Sequence, residues 1–411
     1  MTNDIPRAPA PAHDGTNLRL ALVYAAGLLA AMGYGVTFVL PLYVAGMHGN
    51  EVDVGRVLGA GVVGTLICVP FAGTIADRIS ADRLAALAAL VFGAGMLGLS
   101  LNAQLGPLLL ACGFLLGCGW GLFFTATPMV VARYADDARR SQLFSLLSAF
   151  QMVGIGGGPV LAQALLHHGV PFHTLFLGSA GADAVAAAVL LAGRFAPVHP
   201  LREAAAAQPP PALRDVLGIL RGEAVYPIVM VFLGASVFSA LFNFQATFAA
   251  SRGLDYTVFY VTYTVVVIGL RFFAAGFVGR QQRDVATIGL LVTMTAAVAL
   301  LFVANANDVV YGLAAALLGA GYGLVYPLIQ AQAVAASPEY RATLVLTVFS
   351  VSYFVGIFGF PLVAGYLIVR VGYGGLLAVV LVLAAAETGL AAARALRSRS
   401  RRPVLSSRGI P

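Results

Sequence analysis

Three ionisable side chains stand deep inside long apolar runs: Asp183, Arg271 and Glu387. A charge at the centre of a membrane helix costs at least about 2.5 kcal/mol on insertion scales, so each needs a partner, a polar cavity or a task. A carboxyl in low dielectric favours its neutral form, which lets Asp183 or Glu387 take up a proton from one side and release it to the other. The alternative is structural, an acid bonded to a neighbouring helix. Arg271 suits anion binding, or it braces the cytoplasmic half of its helix by reaching toward water nine residues before Arg280. A second charged group is compact. The stretch GTIADRISADRL, Gly73 to Leu84, places Asp77, Arg78, Asp82 and Arg83 between two apolar runs.

The elements that must position these residues follow from composition. The 411 residues are 60% hydrophobic and 10% charged, with mean hydropathy +0.90. That is more apolar surface than a soluble core of this size can hide, so the bilayer is the solvent. A crossing needs about 20 apolar residues. Such runs extend over Leu20–Gly46, Val54–Ala76, Leu84–Leu101, Leu108–Val131, Leu143–Leu166, Phe172–Gly193, Val225–Ala249, Val258–Val278, Val285–Val303, Val309–Val334, Ala342–Val369 and Gly374–Ala393. The runs are continuous rather than alternating, which favours helices over barrel strands. The fold class expected is an all-α membrane protein with twelve transmembrane helices in two pseudo-symmetric six-helix bundles. Residues 1–19 form an N-terminal tail, 20–193 the first bundle, 194–223 a linker with an amphipathic helix at Ala212–Leu220, 224–393 the second bundle, and 394–411 a basic tail.

All 24 basic residues are arginine. Placing both termini in the cytoplasm leaves Arg56, Arg252 and Arg370 outside and most of the rest inside, which sets the topology. The net charge of +7 is an orientation signal, with no soluble domain to hold nucleic acid. Cys68, Cys112 and Cys118 fall within runs and read as packing residues. The six histidines lie in tails, loops or a run edge, and no nucleotide loop, metal cluster or catalytic constellation is present, so neither an enzyme, a cofactor nor a metal is expected.

The halves repeat at a shift of about 202 residues: Gly119-Trp120-Gly121 over Gly321-Tyr322-Gly323, Gly154 and Pro159 over Gly356 and Pro361, and Asp77-Arg78 over Gly279-Arg280. Asp183 and Glu387 stand at nearly the same shift. Repeats of this kind build secondary transporters with a site between the halves near mid-membrane.

Over essentially the whole chain the sequence resembles the major facilitator superfamily. Gly73-x-x-x-Asp77-Arg78-x-x-x-x-Arg83 is similar to its signature loop between spans two and three, with Ser80 standing where the family has glycine, which implies a wider turn. Gly154-x-x-x-Gly158-Pro159 is similar to the span-five signature of the drug and metabolite antiporters, although Ala162-Gln163 replaces its next glycines. In span four Gly117-Cys118-Gly119 fits a further signature whose arginine is replaced by Gly113.

The resemblance implies a gate at Gly73, Asp77, Arg78, Arg83, Gly158 and Pro159. Asp77 would face the start of span eleven near Ala342, with Arg78 and Arg83 pairing with carboxylates such as Asp82 or Asp137 while the cytoplasmic side is closed. It also assigns spans one, four, seven and ten to the cavity wall, where Tyr34, Trp120, Asn243, Gln245, Tyr322 and Tyr326 stand, with Gln151 in span five. The aromatics would suit an amphipathic organic molecule, or pack on one another. The function implied is proton-coupled export of a small amphipathic compound by alternating access, in a monomer of the bacterial inner membrane whose partners are substrate, lipid and protons. Uptake by symport, an uncoupled facilitator and a non-transporting sensor are the alternatives.

Overall fold

In the computed structural model of the protein the described residues are 13–134, 140–193, 213–273, 283–336 and 342–400. Asp137, Arg280, Arg341, most of the expected linker and both chain ends lie outside them. Among the described residues ten helical stretches are long and apolar enough to cross a membrane. The chain is an all-α, multi-span membrane protein.

The first run is interrupted. Helix α1 (His13–Val36) passes through a 3-10 turn at Thr37–Val39 into α2 (Leu40–Gly46), which Pro41 opens at a position where its missing N–H costs nothing. Helix α3 (Glu51–Cys68) begins with a capping box: Val52 N–H donates to Asn50 at 2.9 Å and Asn50 N–H to Asp53 at 3.1 Å. A 3-10 turn containing Pro70 separates it from α4 (Ala72–Ile79). Helices α5 (Ala81–Leu101), α6 (Pro107–Tyr134), α7 (Arg140–His167) and α8 (Phe172–Ala192) follow. The short α9 (Leu213–Leu220) stands where an amphipathic helix is expected.

The seventh run divides at Phe244 into α10 (Val225–Asn243) and α11 (Gln245–Arg252). Then come α12 (Tyr256–Phe273), α13 (Arg283–Leu301), α14 (Asp308–Ala335) and α15 (Ala342–Phe354). Pro361 lacks the N–H that would bond four residues back, and just ahead of it the helix widens into a π turn at Val355–Gly359. The final α16 (Phe360–Ser400) contains Gly372 at φ 74°, ψ 178°, a conformation open to glycine, so α16 is two helical segments joined at that residue.

Packing sorts these helices into two groups. In the first, α1 packs on α7 and α8, α5 on α6 and α8, and α3 on α6; in the second, α10 packs on α15 and α16, α12 on α14, and α13 on α14 and α16. The groups meet mainly along α3–α16 and α7–α12. Glycine sets the close crossings. A Cβ at Gly154 would stand 2.5 Å from the Leu28 carbonyl of α1, and one at its repeat mate Gly356 would stand 2.7 Å from the Phe232 carbonyl of α10. In lipid, where apolar side chains gain little by leaving their solvent, such backbone approach decides which helices associate.

The turn at Ser80 is strained: Ser80 adopts φ 78°, ψ 149°, a region nearly reserved for glycine. Its hydroxyl accepts from Arg83 N–H at 3.5 Å and caps α5, which offsets part of the strain. Glycine is nearly as good a cap as serine. Ser80→Gly should therefore raise stability by about 1 kcal/mol, read as a higher unfolding temperature in the same detergent; a lower one would show that the hydroxyl matters more than the strain.

Candidate functional site

An aromatic column runs through the centre of the molecule and joins both groups. Tyr34 of α1 stacks on Trp120 of α6 at 4.3 Å with the planes 4° apart. Trp120 leans on Phe124 at 5.9 Å, Phe124 stacks on Tyr353 of α15 at 5.8 Å, and Tyr353 meets Tyr326 of α14 at 5.1 Å. Phe358 closes against Tyr34 at 6.4 Å. A second stack pairs Tyr322 with Phe238 of α10 at 4.8 Å, and Phe38 crosses from the first group onto Phe242 at 5.3 Å and Tyr260 at 5.9 Å. Aromatic pairs contribute about 0.5–1.5 kcal/mol each beyond area burial, enough to hold and weak enough to exchange for a bound ring.

Other expected wall residues are engaged elsewhere. Gln151 is buried and donates to Thr127 at 3.4 Å. Asn243 donates to the Ser239 carbonyl of its own helix at 2.9 Å. Gln245 lies past the break at Phe244 and donates to the Tyr311 hydroxyl at 2.5 Å. It lines a crevice of about 240 Å³, open mouth included, with Phe248, Leu301 and Tyr373, away from the column. The Tyr263 hydroxyl is buried without a hydrogen-bond partner among the described residues, whereas the Tyr322 hydroxyl is buried beside that of Tyr353.

The two seams between groups have the same build. Along α7–α12, Arg271 Nη1 donates to Ser148 Oγ at 2.5 Å, Gly156 lies against Thr264, and Gln163 donates to Asp255 at 3.1 Å. Along α3–α16, a Cβ at Gly55 would stand 2.6 Å from the Pro361 carbonyl, and Tyr373 donates to Glu51 at 3.0 Å. Asp255 lies in the turn before α12; partial burial acts to raise its pKa, but the Thr257 N–H and hydroxyl and the Gln163 amide outweigh this and hold it below the usual carboxylate range. A depressed carboxylate lends stability that is present above its unfolded pKa and lost as pH falls through its folded value, so this rung weakens only in acid.

Each buried acid is pressed against glycine. Asp183 is fully buried between α1 and α5, where a Cβ at Gly33 would stand 3.1 Å from its Oδ2 and one at Gly93 3.1 Å from its Cβ. Glu387 is likewise buried, and a Cβ at Gly234 of α10 would stand 2.9 Å from its Oε1. Neither carboxyl has a hydrogen-bond partner among the described residues.

The charged cluster is divided between surface and interior. Asp77, Arg78 and Arg83 are exposed, with no ion pair among the described residues, and Gly73 has open space around it. Asp82 is not their partner. It is buried and held by Arg19 of α1, whose Nη1 also donates to the Leu190 carbonyl at 3.0 Å, and by Arg133 of α6 at 3.3 Å. One carboxylate thus ties α1, α5 and α6 together.

The profile of the Major Facilitator Superfamily matches residues 22–361. The chain belongs to this superfamily. Its members carry solutes across membranes and are not enzymes, and this chain is a multi-span membrane transport protein. No curated protein matches it. Among the described residues no group of three His, Cys, Asp or Glu could hold a metal, and Cys68 faces Cys118 as a free thiol at 3.5 Å.

Tyr34, Trp120 and Tyr326 are thus brought into one column, with Tyr322 in the adjoining stack, while Asn243, Gln245 and Gln151 are not in it. Phe124, Phe238, Tyr353 and Phe358 are the aromatics that sequence reading missed. Tyr353 had a signal: it lies 202 residues after Gln151, the repeat shift. Gly158 and Pro159 of the span-five motif sit at the α1 crossing, where a Cβ at Gly158 would stand 2.5 Å from the Met32 carbonyl.

Breaking a buried ion pair by removing one partner costs about 3–5 kcal/mol. Asp82→Asn should therefore lower the unfolding temperature sharply, whereas Asp77→Asn, on an exposed residue, should shift stability by no more than about 0.5 kcal/mol. Equal losses from the two substitutions would show that Asp77 is a structural partner too.

Proposed function

We propose that this superfamily member is a secondary transporter working by alternating access, which exports a small amphipathic organic compound in exchange for protons. The observation that carries the reading is the aromatic column, built from α1, α6, α14 and α15, so that both groups contribute walls to one central position. Rings packed on rings there can part to accept an aromatic or apolar solute.

Twelve crossings in two six-helix bundles are supported by the division of α16 at Gly372 and by the apolar α12, Tyr256–Phe273, beside the ten longer stretches. With arginine kept inside, both termini and the Gly73–Arg83 turn are cytoplasmic in a bacterial inner membrane, and the protein works as a monomer. Phe38 on Phe242, Gln163 on Asp255 and Tyr373 on Glu51 then close the outer side, while exposed Asp77, Arg78 and Arg83 are a gate not engaged in this state. When the inner side closes, Asp77 approaches the start of α15 and the glycine crossings at Gly158 and Pro159 pivot. Asp183 and Glu387, unpartnered against α1 and α10, are placed to exchange a proton whenever those helices move and admit water.

A thermal-shift screen of purified protein against drugs, sugars, amino acids and metal-chelating metabolites identifies the cargo; transport is then measured in inverted vesicles under an imposed pH gradient. Trp120→Ala and Tyr322→Ala should each weaken cargo binding about tenfold, the loss of one to two stacking contacts, and unchanged affinity in both removes the column from the site. Asp183→Asn with Glu387→Gln should abolish gradient dependence; an unaltered pH profile dismisses their role. Asp77→Asn should slow turnover while leaving affinity in place.

A further inference from the structure

We infer that Arg271 anchors an anion subsite in the central path, so that the cargo carries a carboxylate on its apolar body; this rests on the transport reading above. The inward face of α12 is Tyr260, Tyr263 and Val267, all buried, and Arg271 continues that face one turn further. Tyr263 packs on Phe242 of α10 at 4.7 Å, and Val267 touches Gly323 of α14. The opposite face, with Val261 and Val265 exposed, is the one that meets lipid. A ligand reaching Arg271 therefore comes from the aqueous path between the groups, not from a lipid headgroup.

The guanidinium does not reach for water at the helix end. Its donors go to two neutral acceptors, Ser148 Oγ at 2.5 Å and the Gly323 carbonyl at 3.1 Å, and its Nε is buried with no partner among the described residues. No described carboxylate pairs with it: the two membrane acids sit against glycines of other helices. A cation taken into low dielectric without a counterion is costly, and an arginine fork matches a carboxylate. Near it stands the buried Tyr263 hydroxyl, which has no hydrogen-bond partner among the described residues and lies in electrostatic reach of the guanidinium. It is a spare donor beside a positive charge, and its ring packs on Phe238 and Phe242 next to the aromatic column.

Helix packing alone does not call for this charge. At the repeat shift the position equivalent to Arg271 is Val69, and that of Ser148 is Ser350. Val69 is buried in the matching region of α3 and α4, so the corresponding place in the other half is filled by an apolar residue. The arginine belongs to one half only. A substrate with one charged end and one apolar end is oriented by that asymmetry.

The test uses three molecules with one apolar body and different charge: 3-phenylpropanoate, 3-phenylpropanamide and 3-phenylpropylamine, titrated by calorimetry into the full-length protein in neutral detergent. The acid should bind at least tenfold more tightly than the amide, and the amine most weakly. Arg271→Gln should erase the difference between acid and amide while the amide binds variant and parent alike. Gel filtration and the unfolding temperature check that the variant is folded. Should it not fold, Arg271→Lys keeps the charge but loses the fork, and should cost the acid severalfold while sparing the amide. An acid preference that survives Arg271→Gln, or its absence from the parent protein, overturns the anion subsite. In the second case, amide binding that Trp120→Ala abolishes leaves the aromatic column standing, whereas binding of none of the three removes both.

Discussion

In hydrocarbon, one helix gains no hydrophobic free energy by covering another, so what holds these helices in place is how closely their backbones can approach. The chain meets that constraint with glycine. Gly113 and Gly117 of α6 lie directly on the backbones of Val57 and Gly61 of α3, and Gly154 and Gly158 lie on α1. Within each group such contacts are backbone on backbone. Between groups they are mixed with rungs of side-chain hydrogen bonds and aromatic edges, such as Gln163 to Asp255 and Phe38 on Phe242. Backbone approach occurs at the seams too, at Gly55 on Pro361 and Gly365 on Glu51, so what sets the seams apart is the added side-chain rungs.

The same constraint explains where the sequence motifs depart from pattern. An arginine cannot replace Gly113, because even a Cβ would overlap the Val57 carbonyl. The positive charges of this protein that do work inside the fold are elsewhere, in Arg19 and Arg271. Arg19 is 1% exposed and joins Asp82 and Arg133 in an ionic tie among α1, α5 and α6. That tie consumes the one carboxylate of the opening cluster that lies in the interior, while Asp77, Arg78 and Arg83 stay exposed with no ion pair among the described residues.

Hydropathy and length made the crossings legible, because an apolar run near the width of a bilayer has few other fates. The repeat register was legible too, and the crossings of Gly154 and Gly356 are its structural counterpart. Local breaks were not: the division at Phe244 leaves the run apolar on both sides, so Gln245 read as a mid-depth wall residue when it is bonded to Tyr311 beyond the break. Arg19 was hidden by its position. A basic residue just ahead of an apolar run reads as an orientation charge, and only α1 beginning at His13 turns it inward to Asp82. Phe358 was hidden because an aromatic residue in a continuously apolar run carries no periodic signal of which face it occupies, and Tyr353 was legible only through the repeat shift from Gln151.

Pseudo-symmetry and its violations divide the labour. Asp183 and Glu387 obey the repeat: each is an acid with no hydrogen-bond partner among the described residues, set against a glycine, Gly33 of α1 or Gly234 of α10, in the two helices that begin the two halves. Trp120 and Tyr322 are repeat mates as well, yet their neighbours differ, one stacked on Tyr34 and the other on Phe238. Arg271 has no mate, nor has Asp77, whose equivalent is Gly279. What is duplicated, the glycine crossings and the buried acids, supports the framework; what is single, Arg271 inside and Asp77 at a rim, is what makes the two halves chemically unlike.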